Sequence, residues 1–139
     1  MKNILFISPK FFGYENDIKQ VLSLKNKSVL YFDDRPNNTF LMKVLLRMQL
    51  NTFITKFVDR YYEEMFSKVV KEKLDIVFLL NPEATPIWFL SRLKQRFPNL
   101  KVITYFWDSF KNRSGAKRYL AVSEKFFTFD PLDATEDER

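Results

Sequence analysis

The sequence predicts an α/β fold, a Rossmann-like three-layer domain whose five-stranded parallel sheet has the order 2-1-3-4-5. Short apolar runs without polar alternation, typical of strands buried on both faces, alternate with segments of helical periodicity. Four of these runs end directly on an acid or an amide, at Asp33, Asn81, Asp108 and Asp130. Right-handed crossovers and short connections favour an order that reverses between the first and third strands.

The predicted strands are the apolar runs themselves. They cover residues 4–7, 29–32, 76–80, 102–107 and 126–129. Parallel strands place their carboxyl ends along one edge of a sheet, so the polar residues that follow them are expected to meet there. Open α/β sheets bind ligands at this edge, which makes it the candidate functional site.

Helices are predicted in the connections. The first has an apolar stripe at helical spacing, formed by Tyr14, Ile18, Val21 and Leu22. A helical insertion between strands two and three runs from about residue 40 to residue 73, with a break near 51–52. Its second half carries its own stripe of Val58, Tyr61, Tyr62, Met65 and Val69.

Later connections are shorter. Thr85 is predicted to cap the helix after the third strand, with Pro86 at its first position. A polar stretch over residues 108–117 is predicted after strand four, and a short helix is expected between it and strand five. The predicted domain covers residues 1–132, and residues 133–139 are expected to form a loose acidic tail.

The amino-acid composition limits the catalytic groups and binding sites that the chain can contain. The 139 residues fit one domain, and they include no Cys and no His. Disulfides, thiol nucleophiles, thiolate metal sites and imidazole bases are therefore excluded, so catalysis would rest on carboxylates, Lys, Tyr or Ser. We expect no cofactor and no metal site. The first apolar run is too short for a signal peptide or a membrane span, and we expect a cytoplasmic protein.

The reversal of strand order between strands one and three predicts a crevice at the carboxyl edge. Residues 8–14, after the first strand, frame one side of it. Backbone N–H groups at the start of the first helix, together with Lys10, suit an anion such as a phosphate. A single glycine, Gly13, is no dinucleotide fingerprint. The alternative is a structural loop in which Phe11 and Phe12 pack as a lid.

Residues 81–83, after strand three, frame the other side of the crevice, and residues 107–109 follow strand four. Glu83 could act as a general base on an acceptor hydroxyl, or it could be a charge favoured by a helix N-terminus. Trp107 and Asp108 pair an aromatic face with a carboxylate, as sugar-binding sites do; alternatively Trp107 is core and Asp108 a cap. The stretch 33–35 suits a metal or a sugar hydroxyl, or else forms a solvated turn with a local ion pair.

Several stretches resemble the N-terminal domain of bacterial GT-B-like glycosyltransferases, a group that includes spore-maturation-type and capsule or lipopolysaccharide biosynthesis proteins. These stretches are residues 4–14 (ILFISPKFFGY), 74–78 (LDIVF), 93–98 (LKQRFP), 105–109 (YFWDS) and 127–130 (FTFD). The resemblance implies the acceptor-side half of an enzyme of surface-polysaccharide assembly, inactive alone because the donor domain is missing. Its partners would be a glycan or lipid-linked acceptor and, with that second domain, a nucleotide-sugar donor.

In this interpretation the catalytic residues are Glu83 and Asp108. The substrate-binding residues lie in the loops after strands one, three and four: Ser8, Lys10, Phe11, Gly13, Tyr14, Asn81, Trp107 and Ser109. Residues 40–57, basic and amphipathic, would contact the inner face of a membrane peripherally, or would instead cover the sheet or form a dimer contact.

Two other classes of function are weighed. A phosphoacceptor receiver domain shares the 2-1-3-4-5 order but needs an acid pair after strand one, an Asp after strand three and a Lys after strand five. The chain has Ser8-Pro9, Asn81 and Asp130 there, so this function is disfavoured. The second is a non-catalytic interaction domain whose net charge of +6 attracts an anionic partner. Nucleic acid is disfavoured because the bases are scattered.

Overall fold

A computed structural model describes residues 1–36 and 52–136 of the chain. Five strands form one parallel sheet in the order β2-β1-β3-β4-β5, which confirms the predicted fold class and strand order. The strands are β1 (Asn3–Ser8), β2 (Ser28–Asp33), β3 (Ile76–Leu80), β4 (Lys101–Phe106) and β5 (Lys125–Thr128). The sheet is of the type found in flavodoxin- and CheY-like domains.

Helices occupy the connections, as the α/β pattern predicts. They are α1 (Tyr14–Lys25), α2 (Thr52–Val69), α3 (Ile87–Arg96), a 3₁₀ helix (Ser114–Val122) and α4 (Pro131–Glu136). The first half of the predicted insertion lies outside the described residues. The short helix predicted between the polar stretch 108–117 and strand five is present as the 3₁₀ helix, which begins inside that stretch, at Ser114.

The larger core lies on the face of the sheet covered by α2, α3 and the 3₁₀ helix. Side chains that β3 and β4 send to this face, Val77, Leu79 and Val102, are fully buried. The predicted stripe of α2 lies against them, with Tyr62 and Val69 fully buried. Burial of this many aliphatic and aromatic side chains is the main stabilising contribution to the fold.

The opposite face carries a smaller core under α1. Ile4, Phe6 and Leu80 are buried there, with Ile18 and Leu22 of α1 packed against them. The other two residues of the predicted α1 stripe do not join this core, since Tyr14 and Val21 are 56% and 57% exposed. Their positions on α1 leave an apolar flank in solvent.

The chain's last described element is α4. The predicted boundary between residues 132 and 133 falls inside it, and Asp133 is buried, with its Oδ2 accepting the backbone N–H of Phe110 at 2.9 Å. The division into a domain and a tail stays a prediction. Among the described residues, none of the helices has the length and hydropathy that crossing a bilayer requires.

Candidate functional site

The carboxyl edge of the sheet gathers the polar residues that the sequence places after the strands. Ser8 pairs with Asp33 in the parallel register of β1 and β2, and the backbone N–H of Asp34 donates to the carbonyl of Ser8 at 3.0 Å. On the other side of β1, the backbone N–H of Asn81 donates to the carbonyl of Tyr105 at 2.7 Å. These backbone bonds bring the loops after four strands to one edge.

Asp34 organises this edge. Its carboxylate accepts the backbone N–H groups of Glu83 and Ala84 at 2.7 and 2.8 Å on Oδ2. Its Oδ1 accepts the backbone N–H of Thr85 at 3.0 Å and the Thr85 hydroxyl at 2.6 Å. Burial raises the pKa of the Asp34 carboxyl, while the hydrogen bonds from Thr85, Ala84 and Glu83 lower it in part. Asp34 therefore anchors the β3–α3 loop.

Tyr62 ties α2 to the same anchor. Its hydroxyl lies 2.9 Å from the Thr85 hydroxyl and donates to the Asp34 carbonyl at 2.8 Å. Burial raises the pKa of Tyr62 well above its usual value. The hydroxyl of Thr85 is thus bonded to Asp34 and Tyr62 and makes no N-cap bond; the residue preceding α3 is Pro86. The predicted capping role of Thr85 is wrong.

Glu83, the first predicted catalytic carboxylate, lies between two arginines. Arg35 donates from Nε and Nη2 to Glu83 Oε2 at 3.0 and 2.7 Å. Arg113 donates from Nη1 to the other oxygen, Oε1. The Glu83 side chain is 4% exposed. Both oxygens are therefore engaged and shielded, which leaves this carboxylate poorly placed to take a proton from a ligand.

Asp108, the second predicted catalytic residue, belongs to the same network. Arg113 donates from Nε to Asp108 Oδ2 at 2.9 Å, so one guanidinium joins the loops after β3 and β4. Arg118 adds a bond from Nη2 to the backbone carbonyl of Glu83 at 2.8 Å. The structure thus brings the two predicted carboxylates together, but as partners of arginines.

The predicted aromatic residues meet at the β1 and β4 ends. The Phe11 ring centroid lies 5.3 Å from that of Trp107 and 6.0 Å from that of Tyr14. Trp107 is half-buried and Phe11 is 43% exposed. The loop turns through left-handed φ values of 51° at Phe12 and 87° at Gly13. Glycine adopts this conformation without cost, whereas Phe12 is strained and projects a 90% exposed ring.

Three further predicted binding residues have distinct settings. Lys10 is exposed beside this loop. Ser8 and Asn81 are 1% and 3% exposed, and Ser8 Oγ and Asn81 Oδ1 have no hydrogen-bond partner among the described residues. Asn81 also has a φ of 46°, in the region that Asn tolerates better than most residues.

Ser109, the last predicted binding residue, accepts the backbone N–H of Arg113 on its carbonyl at 3.0 Å. Its Oγ accepts the backbone N–H of Lys111 at 3.1 Å. It lines a cavity of about 500 Å³ between the β4 and β5 ends, bounded also by Phe110, Lys111, Lys117, Asp130, Leu132 and Asp133. The described ranges contain no cluster of three or more acids that could hold a metal ion.

Sequence reasoning missed the arginines that neutralise this edge. Arg35 stands in the noticed stretch 33–35, but its partner Glu83 is 48 residues away. Arg113 lies in the predicted polar stretch 108–117, and Arg118 lies just beyond it. The sequence offered one signal for these arginines: acids expected at the buried strand ends need basic partners to offset the cost of burying their charge.

No family model and no curated protein sequence matches the chain. Several solved structures match its fold. The signal receiver domain of an HD domain-containing protein from Pseudomonas fluorescens is 12% identical, with 99% of this chain and 85% of that one covered and a TM-score of 0.52. The N-terminal signal receiver domain of a two-component response regulator from Bacteroides fragilis is 13% identical, with 98% and 93% covered and a TM-score of 0.53. The chemotaxis protein CheY4 from Vibrio cholerae is 9% identical, with 99% and 97% covered and a TM-score of 0.51.

The chain therefore has the fold of a receiver domain. The resemblance to GT-B glycosyltransferases is wrong, because the structures that the chain matches are receiver domains, and the predicted role in surface-polysaccharide assembly is withdrawn with it. The expected glycan or lipid-linked acceptor and nucleotide-sugar donor depended on that resemblance and are withdrawn too. The membrane contact expected from the basic, amphipathic pattern of residues 40–57 is withdrawn with these partners, and residues 40–51 of that stretch lie outside the described residues. At identities this low, the likeness establishes the fold and leaves the function to the site.

Proposed function

We propose that this protein is a non-catalytic, receiver-like interaction domain, which binds a partner and carries out no phosphoryl transfer. One observation carries the proposal: Glu83, an acid at the carboxyl edge, is 4% exposed and held by Arg35 and Arg113. A carboxylate that accepts a phosphoryl group must be open to the donor and must not be neutralised by arginines of its own domain.

The strand ends support the same conclusion. β1 ends at Ser8 and is followed by Pro9, and β3 is followed by Asn81, so the positions of the acid pair and the phosphoacceptor carry no carboxylate. β5 is followed by Phe129 and Asp130 where a lysine is needed. An amide and a hydroxyl cannot replace the carboxylates that hold Mg²⁺ against a phosphoryl group.

The basic surface supports a binding role. The net charge of +6 favours encounter with an acidic partner. We include a cytoplasmic location in the proposal, since the sequence has no cysteine to form disulfides.

Acetyl phosphate with Mg²⁺ tests the proposal. We expect the intact mass of the protein to stay unchanged, while a receiver domain that keeps its acid pair gains one phosphoryl group in parallel. A hydroxylamine-labile mass gain that maps to an aspartate of this chain would overturn the proposal. The same reaction on Arg113→Ala, which frees Glu83 Oε1, distinguishes a masked acceptor from an absent one, and we expect no phosphoryl gain there either.

A further inference from the structure

The two faces of the sheet are covered to different extents. On the α2 and α3 face, Val102, Thr104 and Phe106 of β4 are at most 1% exposed. On the α1 face, Ile103 and Tyr105 of the same strand are only half-buried. Parallel sheets are found with both faces covered, because their strands are apolar on both sides. The α1 face of β4 is therefore incompletely covered.

Exposure on this face increases with distance from α1. One row of neighbouring residues runs from Leu80 of β3, 3% exposed, through half-buried Tyr105 to Phe127 of β5, 51% exposed. A second row runs from fully buried Phe6 of β1 through half-buried Phe78 and Ile103. The helix α1 covers β1, and no described helix covers this face over β4 and β5.

One exposed side of helix α1 borders this open surface. Tyr14 and Val21 are seven residues apart, hence on one side of the helix, and both are exposed. Tyr14 contacts Phe11, which contacts Trp107 at the end of β4, so this side faces β4. We call the resulting surface the α1–β5 groove and define it by six residues: Tyr14, Val21, Phe78, Ile103, Tyr105 and Phe127.

The charged side chains that the strands contribute to the groove have one sign. Of the side chains that β3, β4 and β5 direct to this face, two are charged, Lys101 and Lys125, and both lie at the amino end of their strands. A helix that runs antiparallel to the strands would place its C-terminal end beside these lysines. The helix dipole is negative at that end, and acidic side chains in the last turn would add to the attraction.

We propose that the α1–β5 groove binds an amphipathic helix of a partner protein, with an apolar face against Ile103, Tyr105 and Phe127 and acidic residues near Lys101 and Lys125. The dimensions agree: β4 has six residues and is about 20 Å long, the length of about 14 helical residues. A second copy of the chain fits less well, because a two-fold contact through this face would bring four lysines together. The inference rests on the proposed role as an interaction domain.

The test uses a synthetic helix of about 14 residues with a leucine stripe and glutamates in its last turn, stabilised because free helices of this length are marginal. Titrated into ¹⁵N-labelled protein, it should shift the amide signals of the groove residues. Shifts confined to any other surface would overturn the proposal. This measurement needs no variant, so it stands even if a variant fails to fold.

Phe127→Glu should weaken binding about tenfold or more. The matched control is Phe57→Glu, because Phe57 is 50% exposed and lies on α2, across the sheet. An equal loss in both variants would contradict the groove. Replacing both Lys101 and Lys125 with Glu should weaken binding of the acidic peptide about tenfold at low salt. The control is the double variant Lys71→Glu and Lys73→Glu, which changes the net charge by the same amount at another site.

Two other occupants give distinct results. In the first, the free protein sediments as a dimer and the Phe127→Glu variant as a monomer. This result would replace the helix proposal with self-association. Binding to vesicles of anionic lipid that Phe127→Glu abolishes, without binding of the peptide, would assign the groove to a membrane surface. Either result overturns the partner helix and leaves the phosphoryl-donor test of the proposed function untouched.

Discussion

Asp34 Oδ2 lies 2.7 Å from the backbone nitrogen of Glu83, which joins the end of β2 to the loop after β3 across the intervening strand β1. One carboxylate therefore fixes a loop that is not its sequence neighbour. The loop that it fixes carries Glu83, whose pairing with Arg35 and Arg113 keeps this carboxylate from reacting with a ligand.

Asp34→Ala should lower the free energy of unfolding by about 3 kcal/mol, because it leaves the backbone N–H groups of the β3–α3 loop without their hydrogen-bond acceptor. Urea denaturation followed by circular dichroism measures this. Asp17→Ala, at an exposed position of α1, is the control and should change stability by less than about 1 kcal/mol. A loss at Asp34 no larger than the control's would show that the loop is anchored by other contacts.

Arg113→Ala should loosen the loop after β4, because the guanidinium joins Asp108 to Glu83. We expect faster amide hydrogen exchange at Phe110 to Arg113 and a loss of about 2 kcal/mol in stability. Arg60→Ala removes a guanidinium that is 82% exposed and serves as the control. Unchanged exchange in the Arg113 variant would contradict the bridging role.

Phe11→Ala should expose Trp107 and shift its fluorescence emission to longer wavelength, since the two rings lie 5.3 Å apart. The measurement is made with Trp88→Phe, which leaves Trp107 as the single emitter. Stability should change by about 1 kcal/mol or less, because Phe11 is already 43% exposed. An unshifted emission maximum would place Trp107 away from Phe11 in solution.

Asp75 should make folding sensitive to acid. The backbone N–H of Asn3 donates to its Oδ2 at 2.8 Å and holds the pKa of Asp75 below its usual value of 3.8. A depressed folded-state pKa contributes stability above pH 3.8, and this contribution is lost as the pH falls through the folded value.

Asp75→Asn should therefore melt at a lower temperature than the parent protein at neutral pH, and the difference should shrink in acid. Thermal melts across a pH series check this, with Asp17→Asn as the control. A difference that stays constant with pH would assign the effect to packing instead of charge.

The parallel sheet, its order and most of its strand bounds could be predicted, because continuous apolar runs and short connections admit few topologies. The carboxyl edge could be located for the same reason: Glu83 and Asp108 were expected together and share Arg113. Their state could not be predicted, because Arg35 and Arg113 reach them through the fold and not through sequence spacing.

Two other failures have physical causes. The apolar stripe predicted for α1 packs on the core only through Ile18 and Leu22, while Tyr14 and Val21 stay exposed because α1 covers β1 and does not reach over β4. The glycosyltransferase resemblance rested on strand and strand-end pieces that any parallel α/β sheet requires, so it carried information on the fold and little on the chemistry.

Phe12 has consequences for directed evolution of this chain. Its φ of 51° is a conformation that glycine or asparagine would adopt at lower cost, and its ring, which meets that of Phe11 edge-on at 4.8 Å, is still 90% exposed. Selection for heat resistance alone would therefore remove the aromatic side chain here. Selection for recognition at the end of the sheet would keep it, so the outcome of such an experiment reports which of the two demands the position serves.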